Sequence, residues 1–217
     1  MSLDRKLIVR QAFAVLNEAG LEGLTLRKLA SRLKVQAPAL YWHFKSKRDL
    51  LDEMATEVLR RSRAKSSAFS AVEDWTEWAS ATYSSLRKTL LAYRDGAKMF
   101  SGTYLTDVAL YAPMEASLRR LTDAGFTLQQ AIVGLSTLYS YTIGFVIEEQ
   151  ATELAPGRPN PQYDLARREK RVNKELYPLA AAAGPEMFSK RETRFSEGLA
   201  LIVAGMAAAL SPHSDSD

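Results

Sequence analysis

Leu26, Leu29, Ala30 and Leu33 recur at the i, i+3, i+4, i+7 interval, and a second short helical pattern opens at Pro38 after the turn residues Lys34-Val35-Gln36. This spacing gives one apolar stripe on an eight-residue helix, with Thr25 placed to cap its start and Arg27, Lys28 and Arg32 left outside. Proline suits the first turn of the next helix, where its missing N–H has no partner to lose. Two helices this short cannot bury their stripes alone. They need a third, which residues 4–19 supply through Leu7, Ile8, Ala12, Val15, Leu16 and Ala19 before Gly20 and Gly23 end it.

The segment Leu24–Leu51 therefore predicts two helices joined by a tight turn, closed over a small core. In the second of them, about Ala37–Phe44, residues Ala37, Leu40 and Phe44 face inward. Pro38, Ala39, Tyr41, Trp42 and His43 fall outward or at the edge. Burial of Tyr41 and Trp42 in an ordinary helical core is the alternative. Aromatics beside lysines and arginines on an outward helix fit insertion into the major groove of DNA.

Ser46-Lys47-Arg48-Asp49 then starts a longer helix as a capping box with Asp49 in place of glutamate. Lys47 and Arg48 lie in its first turn, where free backbone N–H groups already favour anions. Its far end is basic, with Arg60, Arg61, Arg63 and Lys65, in keeping with the helix dipole.

Charge is divided unevenly. Residues 1–65 carry a balance of +7 and residues 66–217 one of −3. A basic first third on an acidic remainder is what a polyanion-binding head would show, although a solvated basic face gives the same sum. There are no cysteines, which excludes disulfides and thiolate metal sites. No stretch approaches about 20 consecutive apolar residues, and the charged start lacks the apolar run of a secretory signal, so a cytoplasmic protein with no membrane span is expected.

The segments LNEAGLEGLTLRKLASRL and APALYWHFKSKRDLLD resemble the DNA-binding head of TetR-family repressors. The likeness continues through Tyr93–Lys98, Gly102-Thr103, Gly125-Phe126 and Gly144 with Val146-Ile147-Glu148, and it lies nearest the tetracycline-repressor branch. The resemblance implies an all-α chain: an N-terminal three-helix helix-turn-helix domain over 1–46, a connecting helix over 47–65, and a helical regulatory and dimerisation domain over 66–217. It also implies a homodimer bound to palindromic operator DNA and released by a small-molecule effector, with no cofactor. By position, Arg27, Pro38, Ala39, Tyr41, Trp42 and His43 would approach bases or backbone, and Thr25 and Lys47 would hold phosphates. In that branch Gln and Thr flank the proline. Ala37 and Ala39 stand here instead, which removes one adenine-reading amide and one hydroxyl and predicts a different operator.

The body is expected to contain helices over Val72–Leu91, Arg94–Ser101, Thr106–Ala124 with a kink at Pro113, and Thr127–Thr152. A mobile loop over Ala155–Pro161, a solvated face over Arg167–Lys174 and a final helix from Met187 follow. Gly198–Leu210 is apolar nearly all round and needs covering. Its pairing with 127–152 and their symmetry mates would give a four-helix dimer interface; burial within one subunit is the alternative.

The resemblance also places an effector pocket. The branch holds its drug as a magnesium chelate through a histidine, and Phe100 occupies that position. The only histidines, His43 and His213, lie in the head and the tail. Arg63, Thr82, Leu86 and Ser117 also depart from the drug-contacting pattern, whereas Thr103 and Glu148 match it. A more apolar ligand without metal is expected, contacted by Trp78, Thr82, Leu86, Phe100, Thr103, Met114, Ser117, Tyr139 and Glu148; for each of these, plain core packing is the alternative. A tetracycline-responsive repressor of an efflux gene, or an activator of the same architecture, are the other readings. An enzyme is not: there is no glycine-rich phosphate loop, metal-ligand cluster or Ser-His-Asp arrangement.

Overall fold

The computed structural model describes residues 3–65, 72–155 and 157–210. The small-residue link 66–71, His213 and the side chains of Arg63 and Lys65 lie outside the described residues. The head comprises α1 (Arg5–Gly23), α2 (Leu26–Leu33) and α3 (Ala37–Tyr41), followed by α4 (Lys47–Lys65). Asp4 caps α1 by accepting from the Leu7 N–H at 2.7 Å, and Thr25 caps α2 from the Lys28 N–H at 3.1 Å. Gly20 (φ 71°) breaks the helical path within α1, and Lys34 (φ 56°) ends α2 in the left-handed conformation. At α4, Ser46 Oγ accepts from the Asp49 N–H, while Asp49 Oδ2 accepts from Lys45, one residue before the position a standard capping box uses. Helix α3 is shorter than its pattern suggested, ending at Tyr41 although Phe44 remains buried.

The body contains α5 (Trp75–Leu91), α6 (Gly96–Phe100), a 3-10 turn at Val108–Leu110, α7 (Tyr111–Asp123) and α8 (Leu128–Ala151). After these come α9 (Leu165–Arg171), α10 (Pro178–Phe188) and α11 (Arg191–Ala208). Pro113 makes no kink, because it falls in the first turn of α7, where its missing N–H costs nothing. The expected loop after α8 is partly ordered as an antiparallel ribbon of β1 (Glu153–Ala155) and β2 (Arg158–Pro159). The expected final helix is two, because Ser189 is extended and Lys190 adopts φ 48° between α10 and α11. Helix α8 is also long and apolar enough to span a membrane by composition, which the uninterrupted-run criterion had not detected. It packs on α5, α7 and α11 as the central helix of the body.

One hydrophobic core runs from the head into the body. It joins Ile8, Leu16, Leu29, Leu40 and Phe44 to Leu50, Met54 and Val58 of α4, and onward to Leu90, Met99, Phe100, Ile143 and Val146. A second core of Trp78, Tyr83, Leu138, Phe195 and Leu199 binds α5, α8 and α11. Arg87 is 4% exposed within it, paired with Glu149 through two bonds of 2.9 and 2.8 Å and with Glu192. A buried guanidinium is tolerated only while its partners remain.

Glu149→Ala is therefore expected to destabilise the fold by about 3 kcal/mol in urea denaturation, because it removes the two-bond partner of a buried charge and leaves only the exposed Glu192. The same geometry predicts acid lability. The Arg87 bond holds the Glu192 carboxyl below its ordinary range; for Glu53, burial raises the pKa, but bonds from Arg60, Thr106 and Arg5 outweigh it and leave the net shift downward. Groups depressed on folding add stability above their unfolded value and lose it as pH falls, so the melting temperature should drop below about pH 4.3.

Candidate nucleic-acid interface and effector site

Leu26, Leu29 and Ala30 are drawn into the core, which turns the other face of α2 outward. Arg27 and Lys28 are exposed there, and neither side chain makes an ion pair among the described residues. Arg32 on the same helix is committed internally: Nη1 meets Glu18 at 2.7 Å and Nε donates to Gln11 at 2.9 Å, bracing α2 against α1. The Thr25 Oγ accepts from the backbone and keeps its own proton to donate outward.

Anchored by buried Leu40 and Phe44, α3 carries Pro38 exposed, Ala39 half-buried, Tyr41 51% exposed and Trp42 90% exposed. The alternative of core burial thus fails for both aromatics. A tryptophan left in water has no folding rationale, whereas a nucleic-acid surface gives it one. His43 is half-buried, and its carbonyl accepts from Arg5 at 2.5 Å. The Arg5 guanidinium also lies 4.2 Å over the Phe44 ring and 3.2 Å from Glu53, linking α1, α3 and α4.

Lys47 and Arg48 are both held by internal partners, although only Arg48 is paired with a carboxylate. The Lys47 ammonium donates to the Leu21 carbonyl at 2.6 Å, at the C-terminal end of α1, and Arg48 pairs with Asp52 at 3.2 Å. Lys45, which pattern reading passed over, is exposed and makes no side-chain bond among the described residues. Its place beside the aromatic cluster was the available signal.

In the body, Phe100 is buried with its ring 6.3 Å from Tyr139, and Leu86 packs against both cores. Thr103 Oγ1 donates to the Phe100 carbonyl at 2.6 Å. Thr82 is half-buried; Ser117 is half-buried and bonded to the Pro113 carbonyl; Met114 is exposed. Trp78 belongs to the second core, with the Arg120 guanidinium 5.4 Å above it. Glu148 is exposed and lies about half a revolution around α8 from Tyr139, so one subunit does not bring these two together. Phe100 and Tyr139 are thus brought together, Leu86 bridges the core of Phe100 and the core of Trp78, and Glu148 lies apart from Tyr139.

The segment after Phe100 is tied to α4. Tyr104 N–H donates to Asp52 at 2.8 Å, Thr106 N–H to Thr56 and Thr106 Oγ1 to Glu53 at 2.9 Å each, and Arg60 joins Asp107 at 2.7 Å and Glu53 at 2.8 Å. A second tie holds the head: Asp95 Oδ2 accepts from the Leu21 N–H at 2.9 Å, and Arg94 donates to the Glu18 carbonyl at 3.0 Å. A side chain at Gly20 would meet that Asp95 carboxylate, at 2.8 Å from the Cβ position.

The profile described as "Bacterial regulatory proteins, tetR family" matches residues 8–54, and "Tetracyclin repressor-like, C-terminal domain" matches residues 70–210. The chain belongs to the TetR family. This TetR-family protein is 39% identical over 207 residues to the tetracycline repressor protein class A from transposon 1721 of Escherichia coli, covering 94% of this chain and 91% of that one. Among solved structures, a possible TetR family transcriptional regulator from Streptomyces coelicolor A3(2) superposes with a TM-score of 0.83 at 36% identity, covering 95% of this chain and all of that one. TetR(class A) in complex with 5a,6-anhydrotetracycline and magnesium gives 0.67 at 34%, covering 95% and 99%. It is accordingly a ligand-responsive transcriptional regulator with a helix-turn-helix DNA-binding domain, and its homologues support a repressor role.

Tyr41→Ala should weaken binding to a cognate duplex at least tenfold by fluorescence anisotropy. Lys47→Ala tests two roles: a shallower salt slope marks a phosphate contact, and an unchanged slope with a lower melting temperature marks a brace for α1 alone.

Proposed function

We propose that this TetR-family protein is a homodimeric cytoplasmic repressor that binds a palindromic operator and is released by a small apolar effector not held through magnesium. The observation that carries this reading is the continuous connection from the Phe100 site through residues 104–107 to α4, and from α4 into the core of the head. A ligand that displaces Phe100 would load α4 directly and change the spacing of two heads. No catalytic step is assigned. Thr25, Arg27, Pro38, Ala39, Tyr41, Trp42, His43 and Lys47 form the proposed operator surface, in a head spanning 1–46.

The dimer is supported by apolar surface that one chain leaves uncovered. Leu128, Ile132 and Val133 on α8 and Leu201 on α11 (76% exposed) are large apolar side chains that the described residues leave uncovered. Helices α9 and α10 pack chiefly on each other and expose Tyr177, Leu179 (84%) and Met187, as an arm that reaches a second subunit would. In such a pair, Glu148, on the exposed side of α8, would approach the partner. The effector is contacted by Phe100, Leu86, Tyr139, Thr82 and Thr103, with Met114 and Ser117 at the rim and Trp78 supporting from the second core.

A tetracycline-responsive repressor is the second reading, favoured by similarity to the class A protein and its solved drug complex. Phe100 weighs against it, because a phenyl ring cannot ligate magnesium. Calorimetric titration with tetracycline and magnesium separates the two: no magnesium-dependent binding is expected, and tight magnesium-dependent binding would reverse the assignment. Light scattering at micromolar concentration should give a dimer mass; a monomer would refute the two-fold operator reading.

A further inference from the structure

We propose that Gln36 is a specificity-determining residue that reads an adenine in each operator half-site, beside base pairs whose thymine methyls pack on Pro38 and Ala39. The inference rests on the DNA-reading function of the head. The polar groups left free around α2 and α3 are few. Arg32 is consumed by Glu18 and Gln11, and Lys47 by the Leu21 carbonyl. Arg27, Lys28, Ser31, Lys34 and Gln36 remain exposed on α2 and the turn after it.

Gln36 differs from the three cations in kind, and its amide carries a donor and an acceptor farther from the backbone than the Ser31 hydroxyl does. Its backbone is extended (φ −74°, ψ 144°), its carbonyl accepts from the Ala39 N–H at 3.0 Å, and its side chain makes no capping bond. A shorter Ser, Thr, Asp or Asn at this position would spend its oxygen on the helix; the longer glutamine keeps donor and acceptor free together. A neutral amide gains little from phosphates, which favour cations, but it matches adenine, donating to N7 and accepting from the N6 amino group. The next three residues, Ala37, Pro38 and Ala39, offer no hydrogen-bonding side chain. Their methyl and methylene surface suits the thymine 5-methyl group, and a polar base edge placed against it would lose its water without return. Three helical residues advance about 4.5 Å, against about 3.4 Å per base-pair step, which sets the adenine and the thymine methyl one or two pairs apart.

The test uses the full chain and Gln36→Ala, each selecting from random duplex DNA. The wild-type chain should enrich a palindrome with one adenine per half-site whose replacement by 7-deazaadenine, which lacks N7, weakens binding roughly 5- to 100-fold. Gln36→Ala should lose affinity by a similar factor, ignore the deaza substitution and relax preference at that pair alone. Replacing the neighbouring thymine by uracil, which removes only the methyl, should weaken both proteins equally. Gln36→Glu supplies a second check, shifting the preferred base at that pair from adenine to cytosine, whose amino group a carboxylate can accept. Identical selected profiles for wild type and Gln36→Ala, or a deaza penalty that persists in the variant, would overturn the assignment alone. Enrichment of no sequence by the wild-type chain would overturn the DNA-reading function with it.

Discussion

Leu50, Met54, Ala55 and Val58 along one side of α4 are fully buried, in a core shared by the head and the body. Everything else depends on that shared packing. Close-packed side chains do not slide gradually, so α4 can move only by repacking against both neighbours. The other side of α4 carries the polar ties from Asp52, Glu53, Thr56 and Arg60 to residues 104–107. Apolar burial gives the helix its position, and the directed bonds give it a grip on the segment that follows Phe100.

Much of the positive charge that composition assigns to the head is used to build it. Arg5, Arg32, Arg48 and Arg60 each pair with a carboxylate, and Lys47 closes the end of α1. Among the described residues of the head, the exposed cations outside these pairings are Lys6, Arg10, Arg27, Lys28, Lys34 and Lys45, and Lys45 stands three residues after Trp42. Exposed ion pairs add little stability, but they fix side chains in place and so select which cations stay available.

The body shows the complementary imbalance. Its second core is closed around Arg87 and Phe195, yet α8, α10 and α11 present large apolar side chains to solvent. A chain can bury only what its own elements reach, and α9 with α10 reaches little beyond itself. The proposed second copy resolves this in one step, with the same surface serving both subunits.

The helices of the head, the Thr25 cap, the Ser46 cap of α4 and the inward face of Leu26, Leu29 and Leu40 were legible because local spacing and capping chemistry determine them. The LYWH and RDGAK segments were legible in a different way, as a resemblance to TetR-family proteins residue by residue. The break at Lys190, the ordered ribbon after α8 and the harmless position of Pro113 were not, since each depends on where a neighbouring element begins. The sequence by itself thus determined the helical periods, the excess of basic residues and the absence of a histidine at position 100. Only the tertiary structure decided which cations are spent internally, that Asp95 holds the end of α1, and that Phe100 and Tyr139 meet while Glu148 faces away. Pairings between residues far apart in the chain carry no local signature; they follow from which faces the core leaves pointing at one another.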